Sequence, residues 1–274
     1  MRCRRRGTRL AERLLALLAL TLLVSGCGHG DGVKASRISW DDQAMLHHEV
    51  RDDRQVRKRE QYQEILRLAG DRFGRDDLDA ALKYARSAQR REPGRPDAYT
   101  LQAVIQARLG KAEEAGALYR KAAELAPGQG DVLNNYGAWL CGNGHPAEAL
   151  IWFDRALADS GYADRADALA NAGGCALDAG QRERAESDLR QALALAPGNA
   201  YALASMARNE FLHGRYFEAR AFCQRRLAAA PATASVLQLA IDIEERLGDG
   251  SAASRYQQRL REEFPESATP NPQG

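Results

Sequence analysis

The chain has 274 residues, 45% of them hydrophobic, and sets 39 Lys and Arg against 37 Asp and Glu for a net charge of +2. The basic excess comes from the first 26 residues, where Arg2, Arg4, Arg5, Arg6, Arg9 and Arg13 outweigh Glu12, and the remainder carries −3. A mildly acidic remainder without a clustered basic face argues against a nucleic-acid reader, and five scattered histidines (His29, His47, His48, His145, His213) lack the spacing of a metal site or a nucleophile relay.

The first segment, residues 1–26, reads as a secretory signal: an arginine-rich start, then the 11-residue apolar run Leu14 to Val24. A spanning helix needs about 20 apolar residues, so this run directs export and does not anchor the chain. The run ends in Val24-Ser25-Gly26-Cys27, which resembles the lipobox of bacterial lipoproteins. The resemblance implies cleavage before Cys27 and a covalent lipid on its thiol, with no other cofactor. Acyl chains contribute about 0.8 kcal/mol per buried methylene, and stable anchoring takes more than one chain. The alternative is an ordinary cleaved signal followed by a chance cysteine. Gly28 stands where, in enteric-type sorting, an aspartate would signal inner-membrane retention, so the expected location is the periplasmic face of the outer membrane.

Residues 27–45 form the lipidated cysteine and a glycine-rich, polar tether that is expected to be flexible. His47 to Glu60 is dense in charges of both signs and leads into Ile65, Leu66 and Leu68; it reads as a helix with a solvated outer face rather than a basic binding patch. The body then repeats. Alanines recur at Ala81, Ala115, Ala149, Ala185, Ala219 and Ala253, at spacings of 34, 34, 36, 34 and 34. Glycines keep register at Gly110, Gly144, Gly180, Gly214 and Gly248, with Asp76 in the first unit, and prolines close the units at Pro93, Pro127, Pro197, Pro231 and Pro265, with Gly161 in the third.

This period resembles the tetratricopeptide (TPR) motif. The glycine serves the tight turn between two helices, the alanine lets the first helix approach the second, and the proline ends the second helix because it has no N–H to donate. The expected fold is all-α: a right-handed superhelical solenoid of six helix-turn-helix repeats over residues 46–267, divided near 62–95, 96–129, 130–165, 166–199, 200–233 and 234–267, with a disordered tail at 268–274. Small residues mark the crossing point on the first helices: Ala69, Ala103, Gly137, Gly173 and Ala207. In the sixth unit Ile241 takes that place and should widen the packing; Arg226 and Leu260 replace the small residues Ala88, Ala122, Ala156 and Ala192 of the second helices. The two extra residues fall around Asp159 to Asp164 and should only lengthen a loop.

Stacked units leave a concave groove lined by their first helices. Asn135 and Asn171 occupy equivalent places there, with Asn134 adjacent. Amide side chains can read a partner's main chain, or they can satisfy nearby helix ends; both readings stand. Cys141 and Cys175, on neighbouring units, can close a disulfide if their Cα atoms come within about 7 Å. Cys223 reads as a core thiol. No pair of carboxylates can be singled out for catalysis, and no enzyme activity is expected.

The third unit reads Asn134-Asn135-Tyr136-Gly137 and Leu140-Cys141; the fourth, Asn171-Ala172-Gly173 and Cys175-Ala176-Leu177; the last, Leu247-Gly248-Asp249, Tyr256, Leu260-Arg261 and Phe264-Pro265. With the lipobox and six repeats, these segments resemble the PilF/PilW pilotin family of type IV pilus biogenesis and stability lipoproteins. The resemblance implies an outer-membrane lipoprotein that binds secretin subunits and promotes their localisation and multimerisation, and a disulfide between Cys141 and Cys175. The rival is a lipid-anchored TPR scaffold that recruits envelope proteases or peptidoglycan enzymes. Asp76 departs from the usual turn glycine, which leaves the geometry at the N-terminal end of the groove open.

Overall fold

A computed structural model describes residues 49–268. The signal, the lipobox with Val24, Ser25, Gly26 and Cys27, the tether and residues 269–274 lie outside the described residues. Beyond Val50 the chain forms one unit, residues 51–274.

Twelve helices follow one another in pairs: α1 Glu49–Gly74 with α2 Leu78–Arg91, α3 Pro96–Arg108 with α4 Ala112–Leu125, α5 Gly130–Gly142 with α6 Pro146–Ala158, α7 Arg165–Asp178 with α8 Arg182–Leu195, α9 Ala200–Leu212 with α10 Tyr216–Ala229, and α11 Ala234–Leu247 with α12 Gly250–Glu263. A single turn, α13 Pro265–Ala268, follows. This is the six-repeat solenoid, with no strand among the described residues. No described helix is long and apolar enough to cross a membrane. Helices α3, α5, α9 and α11 begin at the first residue of their repeats as read from the sequence and α7 one residue before its own, whereas α1 starts about a dozen residues before the first repeat.

The turns show why the period carries glycine. Gly110, Gly144, Gly180, Gly214 and Gly248 all adopt φ between 73° and 84°, a left-handed backbone that a Cβ disfavours. That conformation lets the next residue's N–H reach back five positions, as in Lys111 N to Gln106 O (2.9 Å) and Arg215 N to Glu210 O (2.9 Å), the Schellman closure of a helix end. Asp76 answers the question that its departure from glycine left open. It holds φ 59°, and Asp77 N reaches Arg72 O at 3.0 Å, so the first turn closes like the others. Aspartate tolerates this region better than most residues because its short polar side chain can bond locally.

The recurring alanines are the contact points. Ala81, Ala115, Ala149, Ala185 and Ala219 are fully buried, as are Ala69, Ala103 and Ala207 at the crossing point of the first helices. Where glycine replaces them the approach is closer still: a Cβ on Gly137 would lie 2.9 Å from the Phe153 ring, and one on Gly173 would lie 2.6 Å from Leu189 Cγ. Ile241 in the sixth unit is buried and packs in a cluster with Leu237 and Leu260. Arg226, in a small-residue position, is buried and turns its guanidinium onto the end of its own helix, donating to Ala230 O (3.0 Å) and Pro231 O (3.1 Å).

The third unit replaces its missing proline with a side-chain anchor. Asp159, just after α6, accepts from Gly161 N and from Gly130 N at the start of α5, both at 2.9 Å. These two amide donors hold its carboxyl below the usual range. Tyr162 then packs on Gly130, whose absent Cβ would lie 2.5 Å from the ring. The longer loop is thus pinned to the first helix of its own unit.

Candidate partner-binding groove

From the second unit on, each first helix meets the next first helix: α3 with α5, α5 with α7, α7 with α9, and α9 with α11. The first helices therefore line the inner side. An opening of about 570 Å³ on that side runs across α7, α9 and α11 in the fourth to sixth units. Its wall is apolar: Tyr201, Phe211, Leu212, Val236 and Leu239, with Arg208, Gln238 and Asp242 among the polar residues.

Two local features build this groove. Gly174 on α7 faces Tyr201, and a Cβ there would lie 2.4 Å from the phenol oxygen. The bare backbone lets the ring lie against α7 while Tyr201 stays 51% exposed. Leu212 is exposed as well. The charges beside them are restrained, with Arg208 Nη1 2.8 Å from Asp178 Oδ1 and Gln238 Nε2 donating to Asp242 Oδ1 at 2.9 Å. An apolar wall edged by fixed polar groups suits the side chains of a bound polypeptide segment, and gives no nucleophile paired with a base.

The asparagines sit one unit earlier. Asn134 is buried, and Asn171 Nδ2 donates to Asn134 Oδ1 at 3.1 Å, joining α5 to α7. Part of their amide capacity thus bonds neighbouring first helices. Asn171 also lines a smaller opening of about 220 Å³ with Cys141, Asp178 and Tyr201, so Tyr201 borders both openings. Asn135 is half-buried and lines neither. Cys141 and Cys175 are disulfide-bonded with a Cα–Cα separation of 5.9 Å, a covalent tie between helices α5 and α7 beside that hydrogen bond. Cys223 is buried, and burial pushes its thiol up to about 11.

The remaining titratable groups serve packing. Glu210 and Glu244 are buried on first helices and are paired with Arg215 and Arg220, so neither carboxylate is left alone away from water. His145 stands before α6 and is exposed; His213 closes α9, with Nδ1 2.8 Å from Asn209 O. No group of His, Cys, Asp and Glu among the described residues is arranged to hold a metal ion.

Tyr201, Phe211, Leu212 and Leu239 escaped the sequence reading because aromatic and leucine residues at helical spacing look like core. A signal was present in Gly173-Gly174: the crossing point needs one small residue, and the second makes room for Tyr201.

Comparison with known proteins agrees with this architecture. Models of the tetratricopeptide repeat match residues 96–129 and 176–243. Among solved structures, PilW, described as a widely conserved type IV pilus biogenesis factor, is 29% identical, with a TM-score of 0.69 over 76% of this chain and 96% of that one. PilF of Pseudomonas aeruginosa shares the fold at 23% identity and a TM-score of 0.68, over 77% of this chain and 96% of that one. A tetratricopeptide repeat protein of Parabacteroides merdae does so at 22% identity and 0.57, over 77% and 81%. No curated protein matches the chain. The chain folds as a solenoid of tetratricopeptide repeats and is similar along most of its length to a type IV pilus biogenesis factor.

Proposed function

We propose that this protein is a type IV pilus pilotin: an outer-membrane lipoprotein, anchored through acylated Cys27 on the periplasmic face, that binds secretin subunits and promotes their localisation and multimerisation. The observation that carries the reading is the likeness to PilW over nearly all of that chain. The apolar groove across α7, α9 and α11 supplies a surface for a partner segment, and the lipobox-like Val24-Ser25-Gly26-Cys27 supplies the address. Binding and address reside in separate parts of the chain, so they should separate by mutation.

Cys27→Ala is expected to leave binding of soluble secretin subunits unchanged while outer-membrane secretin multimers fall several-fold on a heat-stable gel. Multimers at wild-type level would reject the anchor's role. Pull-down from envelope extracts is the companion measurement; recovery of proteases or peptidoglycan enzymes without secretin would favour the scaffold reading instead.

The groove makes its own prediction. Tyr201 is a half-exposed aromatic bordering both openings, the kind of side chain that dominates protein interfaces. Tyr201→Ala should weaken secretin binding by about 2 kcal/mol, roughly thirtyfold in Kd, with thermal stability nearly unchanged. Calorimetric titration with soluble secretin subunits measures it. An unaltered Kd would move the contact surface away from the inner side.

A further inference from the structure

The apolar groove is built from two helical stripes. On α9 its lining residues Tyr201, Ala204, Ser205, Arg208, Phe211 and Leu212 stand at i, i+3, i+4, i+7, i+10 and i+11. On α11 Ser235, Gln238, Leu239 and Asp242 repeat i, i+3, i+4 and i+7. This spacing is the ridge that one helix offers to another. The α9 stripe runs about 16 Å along its helix, or three turns, and both stripes border the same opening of about 570 Å³. Two neighbouring helices thus form a trough shaped for a third.

The polar side chains of the trough are already engaged. Arg208 is paired with Asp178, Gln238 donates to Asp242, Ser235 Oγ lies 3.1 Å from Thr233 Oγ1, and Ser205 is buried against the Tyr201 hydroxyl. In the adjoining opening Asn171 gives an amide proton to Asn134. The backbones of α9 and α11 are bonded within their own helices, so neither offers an edge to an incoming strand. An extended segment lying here would bring one N–H and one C=O per residue, and burying them without partners is costly. A helix closes its own backbone and needs from the wall only apolar contact. Charge adds a second constraint. Asp178 is paired with Arg208 on the α7 side, whereas half-buried Asp242 on α11 is bonded to a neutral amide and forms no ion pair among the described residues.

We infer that the trough holds an amphipathic α-helix of the partner, about three turns long. Its apolar residues recur at i, i+3 or i+4, and i+7, and its edge carries a lysine or arginine that faces Asp242. The inference rests on the proposed function for the identity of the partner, the secretin subunit; the helical form and the basic edge follow from the trough itself.

The test titrates residues 28–274, a chain that holds every described helix, with the soluble secretin subunit and separately with overlapping 25-residue peptides that tile the subunit's sequence. One peptide is expected to bind, to gain helical circular dichroism on binding, and to compete with the subunit. Proline on the solvent-facing side of that peptide distinguishes the two backbones: a bound helix loses about a hundredfold in affinity, while an extended segment keeps it. Asp242→Lys should weaken the native peptide about tenfold and favour a peptide in which the facing basic residue is changed to glutamate. Glu114→Lys, the same charge change at an exposed site in the second unit, should do neither. A peptide that binds without gaining helix, tolerance of the proline, indifference to Asp242→Lys, or binding by the subunit with no peptide bound would each overturn the inference and leave the proposed function standing. A subunit that does not bind at all overturns the proposed function, and the inference with it. Circular dichroism of each protein variant alone checks that it stays folded.

Discussion

Gly173→Val is expected to destabilise the fold by about 3 kcal/mol, the upper end of what overpacking a close-packed site costs. Gly173 lies inside α7 at the crossing with α8, and a Cβ there would stand 2.6 Å from Leu189 Cγ, 2.9 Å from Leu189 Cδ2 and 3.1 Å from the Leu189 backbone nitrogen. Leu189 is itself fully buried, so its side chain has no open direction. The backbone nitrogen gives way only if α8 moves. Gly173→Ala meets the same first clash but gains nearly 1 kcal/mol of helix propensity, so its net loss should be clearly smaller; valine forgoes much of that gain and adds two methyl groups. For a chain of this size a 3 kcal/mol loss lowers Tm by about 6 to 12 °C. Because each repeat touches only its neighbours, the damage should be local. Hydrogen exchange should accelerate first in α7 and α8 and last in α3 and α4. An unchanged Tm would mean the two helices can part at this point without loss.

The repeat was legible because its landmarks answer backbone demands that few residues satisfy. A left-handed turn selects glycine, so five glycines in register locate five turns directly, and the sixth was found by its position although aspartate fills it. At Asp76 the pattern alone left the geometry open: a residue that departs from the pattern can still adopt the pattern's conformation, and φ 59° at Asp76 shows it does. The groove was harder to read. Tyr201, Phe211 and Leu239 are chemically indistinguishable from core residues, and only the placement of α7, α9 and α11 decides which side of each helix faces outward. The asparagines carried two readings, and the structure gives each a part: Asn171 donates to Asn134 across the repeat interface and also lines the smaller opening.

Removing the disulfide should cost about as much as Gly173→Val, by a different route. Cys141 and Cys175 are 34 residues apart in sequence, and closing a loop of that length restricts the unfolded chain by about 3 to 4 kcal/mol in the chain-entropy account. Alanine is the appropriate replacement, because Cys175 is fully buried and a serine hydroxyl would add a desolvation penalty of its own. Cys141→Ala/Cys175→Ala should thus lower the denaturation midpoint, and a thiol reductant should lower the wild-type midpoint by a similar amount while leaving the variant unmoved. The third-to-fourth interface would still keep the Asn171 to Asn134 hydrogen bond and the packing of α6 on α7, so the stack should remain folded but part there first. Cys175 is two residues from Gly173 on α7, and the two perturbations should therefore combine non-additively. The smaller opening is lined by both Cys141 and Tyr201, so loosening α5 from α7 should also weaken partner binding, by less than Tyr201→Ala does. Intact mass after alkylation, with and without reduction, gives the decisive control. Cys223 is buried and its thiol is pushed up to about 11, so it should resist alkylation in the native state and react only on denaturation. Two further alkylated sites at Cys141 and Cys175 without reductant, or identical midpoints with and without it, would show that the two helices are held by packing alone.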